Sequence, residues 1–314
     1  MADQPTDTTG VWVTLDELTR LQFQARGFSF LPKQPLHSLL AGRHTSRMRG
    51  RGLDFEELRH YLPGDDSRTI DWKVTARTGK THVRVYTEER DRPALIIVDQ
   101  RIAMFYGTKV AMKSVVAAQV AALAAWRVVD VGDRVGGVVF NDTDVAEVKP
   151  HRSGQTVLRF LHHLVEQNTA LRADAPVRSN PSALNAVLEG VARVAKHDYL
   201  VVVISDFDGA DDRTIRLITR MSQHNDIIVV PVFDPSSQDL PASGRLVVGD
   251  GELQIEVDLG KASSLRSVLE YTRGRLDSVL RWREEIGVPV LPLSTAEPVV
   301  EQVRRLLGQA RAGR

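Results

Sequence analysis

The chain contains no cysteine. That excludes disulfides, thiolate zinc sites, cysteine-ligated iron–sulfur clusters and a cysteine nucleophile, and it agrees with a reducing cytoplasm. Net charge is almost absent too. Lys and Arg number 41 against 40 Asp and Glu, a formal +1 over 314 residues, so no global field draws the protein to nucleic acid or an anionic membrane, and any basic function has to be local. Long hydrophobic runs are missing. The longest small-and-apolar stretch, Val115 to Trp126, is interrupted by Gln119 and is too short to span a bilayer. The opening residues, MADQPTDTTG, are acidic and polar where a signal peptide needs a basic region before an apolar one. A cytoplasmic protein without membrane insertion is the expectation. Catalytic signatures are equally scarce: GxSxG, HExxH and GxGxxG do not occur. Gly79-Lys80-Thr81 looks like the end of a P-loop, but Val74 stands where its first glycine belongs and no buried strand leads into it. His162 and His163 are adjacent, so a helix would turn them to different sides, which argues against a metal pair.

What the chain does have is apolar material for a core, 42% of its residues, arranged around the stretch Pro93 to Gly107. The unbroken run Ala94 to Val98 stops at Asp99, and a small-residue helix pattern follows over Thr108 to Asp130. This is how a buried parallel strand reads when it hands over to a crossover helix. Further strands are expected at Gly132–Asn141, Val145–Lys149, Tyr199–Ser205, Asp226–Phe233 and Val288–Leu293. Helices are expected at Thr156–Gln167, Ser182–Lys196, Arg213–Gln223, Ser263–Ile286 and Pro298–Ala310. The order predicts an α/β fold, a doubly wound and mostly parallel sheet with helices on both faces. It occupies 93–314, with a hairpin insertion near 245–258 signalled by Asp250-Gly251. Asp99 and Asp206, with Asp208 close behind, end two of the buried strands, the place where open α/β sheets hold ligands. The same carboxylates could instead cap the following helices.

Ahead of the sheet, 1–42 reads as a polar tail, a short helix and a linker. In the helix, Thr14 and Glu17 form a capping box and Leu15, Leu18 and Leu21 an apolar stripe. The segment 43–92 has its own character. Arg43, His44, Arg47, Arg49 and Arg51 crowd together, either as a phosphate or acidic-partner contact or as a solvated loop pairing with Asp54, Glu56 and Glu57. DFEELRHYLPGDDSRTIDW then reads as a short helix ended by Pro63-Gly64, and His82 to Thr87 as a half-buried strand. Within it Phe55, Tyr61, Ile70 and Trp72 are expected to pack together, with Arg59, Arg68, Asp65 and Asp71 in ion pairs around the Gly64 turn.

The strand order, the Asp99 loop and Ser205-Asp206-Phe207-Asp208 resemble a von Willebrand factor type A domain. The block from Gly50 to Pro93, with Phe55, Arg59, Tyr61, Gly64, Asp65, Arg68, Asp71 and Trp72 at its centre, resembles the signature of the domain of unknown function 58 family. Type A domains that bind metal carry Asp-x-Ser-x-Ser after the first strand. Here the residues are Asp99, Gln100, Arg101, Ile102 and Ala103, so two hydroxyl ligands are lost and a cation is added. At an effective dielectric of about 20, two like unit charges about 5 Å apart cost about 3 kcal/mol. No metal and no other cofactor is therefore expected. Members of the family often accompany MoxR-type AAA+ ATPases, and many carry transmembrane helices that this chain lacks. The resemblance thus implies a non-enzymatic adaptor working with such an ATPase on a client protein, with Asp99, Arg101, Asp206 and Asp208 as the partner-facing rim. A nucleic-acid or phosphate-binding module using Arg43 to Arg51 is the alternative, and a metal-dependent hydrolase on the same rim the third reading.

Overall fold

The structure, a computed structural model, describes residues 10–25, 53–88, 92–172, 179–235, 245–249, 254–258 and 262–308. Its elements in chain order are α1 Leu15–Arg20, β1 Leu53–His60, α2 Trp72–Thr78, β2 His82–Glu88, β3 Ala94–Asp99, α3 Lys113–Asp130, β4 Val135–Phe140, β5 Val145–His151, α4 Gly154–Thr169, α5 Ala183–Val194, β6 Leu200–Ser205, α6 Asp212–Ser222, β7 Asp226–Phe233, β8 Arg245–Gly249, β9 Gln254–Asp258, α7 Ala262–Glu285, β10 Leu293–Ser294 and α8 Val299–Gly308. Two compact units result, His37–Asp91 and the remainder of the chain.

The larger unit holds a six-stranded sheet in the order β10-β7-β6-β3-β4-β5. All neighbours run parallel except β5, an antiparallel edge. Every residue of β3, β4 and β6 is buried, which is why these strands read as continuous apolar runs and not as alternations. Along β3 the side chains divide: Ala94, Ile96 and Val98 join a core with α1, α3, α4 and α8, while Leu95 and Ile97 join one with α5, α6 and α7. From β3 the chain goes first to β4 on one side and later to β6 on the other, so the switch point lies between β3 and β6. Val98 pairs with Ile204, which brings the ends of these strands side by side.

The last expected strand is the one that shrinks most. Pro289 and Pro292 remove two backbone donors from Val288–Leu293, leaving a single bridge from Val290 to Val229 and the two-residue β10. The helix expected from Thr108 starts only at Lys113, because the Thr108 N–H and hydroxyl are both held by Asp234. The N-terminal helix belongs to this unit rather than to a separate segment. Val13, Leu18 and Leu21 are in its core, the Trp126 indole donates to the Leu18 carbonyl, and Trp12 donates to that of Leu171. Thr14 caps α1 as expected, whereas the Glu17 carboxylate accepts from Gln119. β8 and β9 form the expected antiparallel hairpin, with the Asp250-Gly251 tip outside the described residues.

In the smaller unit the expected helix over DFEEL is a strand, β1, paired antiparallel with β2. A bulge between Phe55 and Glu57 shifts the register there, so the apolar residues Phe55 and Leu58 fall three apart and imitate a helical period. A helix of that length nucleates poorly on its own, and pairing along β2 prevails. α2, in turn, was not expected. Asp71 caps it by accepting from Lys73 and Val74 N–H, and Gly79 ends it in the left-handed conformation at φ +67°. The sequence that resembles a P-loop tail is thus a helix stop. Arg43 to Arg51 and the expected linker lie outside the described residues.

Candidate functional site

Asp99 ends β3, fully buried, and both of its oxygens are engaged. Oδ1 accepts from the Arg101 backbone N–H at 2.9 Å and from Arg101 Nε at 3.0 Å. Oδ2 accepts from Arg101 Nη2 at 2.6 Å and from the Ser205 hydroxyl at 2.6 Å. The guanidinium is only 1% exposed and lies 5.6 Å from the centre of the Phe140 ring. Its remaining donors reach the carbonyls of Asn180, Pro181 and Asp208 at 3.1 to 3.3 Å. Burial works against the charged form of Arg101, but the Asp99 carboxylate outweighs it and holds the group above its ordinary pKa.

Asp206, just past β6, is held by different cations. Its Oδ2 accepts from Lys113 Nζ at 2.5 Å, and Arg275 of α7 stands 3.7 Å away. Arg275 also pairs with the Asp208 carboxylate. Burial would raise the Asp206 pKa, yet the charges of Lys113, Arg275 and Arg101 keep its carboxyl well below the usual range. Between the two aspartates Phe207 adopts φ +58°, costly for a non-glycine residue. It is held there by full burial, by edge contact with Trp282 at 5.4 Å between centroids, and by its N–H donating to Ser205.

A third strand-end carboxylate completes the crevice. Asp142, after β4, accepts from the N–H groups of Ile102 and Asn180 at 2.7 and 2.8 Å, tying the Arg101 loop to the approach to α5. The rule that singled out Asp99 and Asp206 also applies to Asp142, although that residue was not named from the sequence. Lys113 and Arg275 carry no such signal, since each lies inside a helix whose partner depends on tertiary packing.

The four residues expected to face a partner therefore separate. Asp99 and Arg101 are buried, and offer a partner no area in this conformation; they hold the crevice from beneath. Asp206 is 7% exposed and Asp208 more so. A divalent ion does not fit this set. Its carboxylates are already paired with Arg101, Lys113 and Arg275. Among the described residues no group of three or more His, Asp or Glu is arranged to hold a metal.

The signature residues gather in the smaller unit. Arg59 makes a two-pronged pair with Asp65 at 2.8 Å on each branch, and Asp65 also accepts from Leu62 N–H, closing the turn at Gly64, whose φ is +107°. The Arg59 hydrogen bond is the main cause of a lowered Asp65 pKa. Asp71 is buried and pairs with Arg84 at 2.8 Å; the Val74 N–H, then Arg84, lower its pKa. Two expectations need correction. Arg68 is exposed, and its described contact is its backbone N–H to Asp66. Trp72 is 69% exposed and Tyr61 36%, so no buried cluster forms around the tryptophan; capping by Asp71 puts it on the outer side of the first turn of α2. The Phe55 side chain lies outside the described residues.

The larger unit is thus a doubly wound, mostly parallel sheet with an antiparallel edge, its switch point lying between β3 and β6. Residues 57–276 match the family described as "Protein of unknown function DUF58", and the chain belongs to that family. An uncharacterized protein of Mycobacterium tuberculosis, Rv1480, is 28% identical over 302 residues, covering 94% of this chain and 91% of its own. An uncharacterized protein of Mycobacterium avium is 25% identical over 169 residues, covering 52% and 94%. Among solved structures, the SpRpn10 VWA domain matches at a TM-score of 0.36 and 14% identity, covering 68% of this chain and 93% of that one. A von Willebrand factor type A protein from Catenulispora acidiphila matches at 0.28 and 12%, covering 63% and 45%.

Proposed function

We propose that the chain is a non-enzymatic adaptor that works with a MoxR-type AAA+ ATPase in the assembly or maturation of a client protein. The observation that carries this reading is the state of Arg101. With its guanidinium locked onto Asp99, and with Lys113 and Arg275 on Asp206 and Asp208, three cations meet three of the four carboxylates, and the fourth, Asp142, is held by the N–H groups of Ile102 and Asn180. Such a closed set leaves no group free to act as nucleophile or base, and no ligand position for a metal that would activate water. It does hold the rim in one geometry without an effector, which suits a standing protein-binding surface. The ATPase as partner follows from the family's usual company, and the fold is compatible with it. Among the described residues no helix is long and apolar enough to cross a membrane.

The test is a pull-down of a cognate MoxR-type ATPase by the full chain, with and without ATP. Association in at least one nucleotide state is expected, and none in either would refute the reading.

A further inference from the structure

α2 of the smaller unit presents a face that the fold does not use. Val74 and Thr75 turn inward, and the Thr75 hydroxyl accepts from His82 N–H. Trp72, Lys73, Ala76 and Arg77 are all exposed. Positions 72 and 76, 73 and 76, and 73 and 77 are neighbours on a helix surface, because residues three and four apart share a face, so Ala76 joins the indole to the two cations. They form one patch, an indole beside two cations, and Lys80 just past the Gly79 stop adds a third. None of Lys73, Arg77 and Lys80 pairs with a described carboxylate. Of the acids in this segment, Asp65 pairs with Arg59 and Asp71 with Arg84, and Asp66 accepts from the Arg68 N–H. Residues 53–88 carry six Lys and Arg against seven Asp and Glu, so the positive character is local to this end of α2, where Lys73, Arg77 and Lys80 are exposed.

We infer that this α2 face is a protein-docking surface, with Trp72 as the anchor, for a partner that offers an apolar hollow rimmed by carboxylates. Charge complementarity sets the sign of that rim. An exposed tryptophan on a helix that also exposes Lys73 and Arg77 has the composition of an interface hot spot, where one large ring fills a pocket and surrounding charges steer and orient. A single-stranded nucleic acid is a worse match. Such sites stack successive bases on several aromatic rings along a groove, whereas α2 shows one ring, and the same unit exposes the aliphatic side chains of Leu58 and Leu62 at 39% and 58%, which bases would not need. The inference rests on the reading of the chain as an ATPase adaptor and takes that ATPase as the partner.

The experiment measures binding of the full chain to the MoxR-type ATPase for the wild type, Trp72→Ala and the double variant Lys73→Glu, Arg77→Glu. A fluorescent single-stranded oligonucleotide serves as a second probe, and melting temperatures as a control for folding. Because these side chains are exposed, melting temperatures should not move. The tryptophan variant should bind the ATPase at least tenfold more weakly, and the charge-reversal variant should lose both affinity and the salt dependence seen for the wild type. Variants that bind the ATPase like the wild type would overturn the α2 assignment while leaving the adaptor reading intact. No binding by the wild type itself would remove both. Oligonucleotide binding lost in the variants, with ATPase binding unchanged, would replace the protein partner by nucleic acid.

Discussion

Arg101, in the loop after β3, has a guanidinium that supplies to Asp99 what a bound cation would supply, with directional donors in addition. Truncating it leaves a buried carboxylate with the Ser205 hydroxyl and a backbone N–H but without its paired cation, and three carbonyls without the guanidinium donor. Arg101→Ser is therefore expected to cost about 3–5 kcal/mol in denaturant unfolding, with part of the loss recovered by Mn²⁺ when Ala103→Ser is added. A loss below about 1 kcal/mol would show that the pair holds little. Asp206 makes a separate expectation about pH. Its folded pKa lies below the unfolded value of about 3.9, so its contribution is complete above that value and disappears as pH falls through the acid range toward the lower, folded one. Stability should decline below about pH 4, and Asp206→Asn should flatten that slope by up to about 1.4 kcal/mol per pH unit, one proton's worth; identical slopes in equilibrium unfolding would contradict it. At this scale the strand-end carboxylates and Arg101 were legible, because a residue that ends a buried run has its position set by the run. Lys113 and Arg275 were not, because nothing in the local sequence says what a cation on a helix will meet.

Elements were readable where burial was complete and misread where pairing decided. β3 and β6 declared themselves by composition alone, since both faces of each are covered. β1 did not, because its bulge breaks the two-residue alternation and only β2, more than twenty residues later, makes it a strand. Exposure of Trp72 was hidden for a similar reason: an aromatic residue next to an aspartate reads as core until the aspartate is seen to cap a helix. β4 shows the converse, a requirement set by neighbours and visible only in three dimensions. A Cβ on Gly136 would come within 2.4 Å of the Val148 carbonyl on β5, a backbone atom that cannot rotate away. Gly136→Ala should destabilise by about 1–3 kcal/mol through forced displacement of that edge, and thermal unfolding at wild-type temperature would show the edge to be more yielding than the packing implies.

For the molecule as a whole, the sheet-bearing unit is assembled from both ends of the chain. Gly10 accepts from the Met112 N–H at the start of α3, Trp12 stacks on Phe105 in the loop after Arg101, and Val13 N–H donates to Asn168, which in turn donates to Gln100. The N-terminal segment is thereby connected to the crevice loop by packing and by a buried hydrogen-bond chain. Leu18 is fully buried in that contact, so Leu18→Ala should cost about 2–5 kcal/mol in unfolding of this unit; a cost under about 1 kcal/mol would mean the segment is a loosely held strap. The sequence marked α1 correctly but assigned it to a tail, since an amphipathic stripe shows that a helix will be covered without showing by what.

The central claim is that the crevice at the β3–β6 switch point is filled by the protein's own cations, which makes it a standing surface and not a metal-gated one. Titration calorimetry of the unmodified protein with Mg²⁺ and Mn²⁺ at neutral pH tests it most directly. No saturable heat is expected from either ion, whereas stoichiometric binding that disappears in Asp99→Asn would contradict the account.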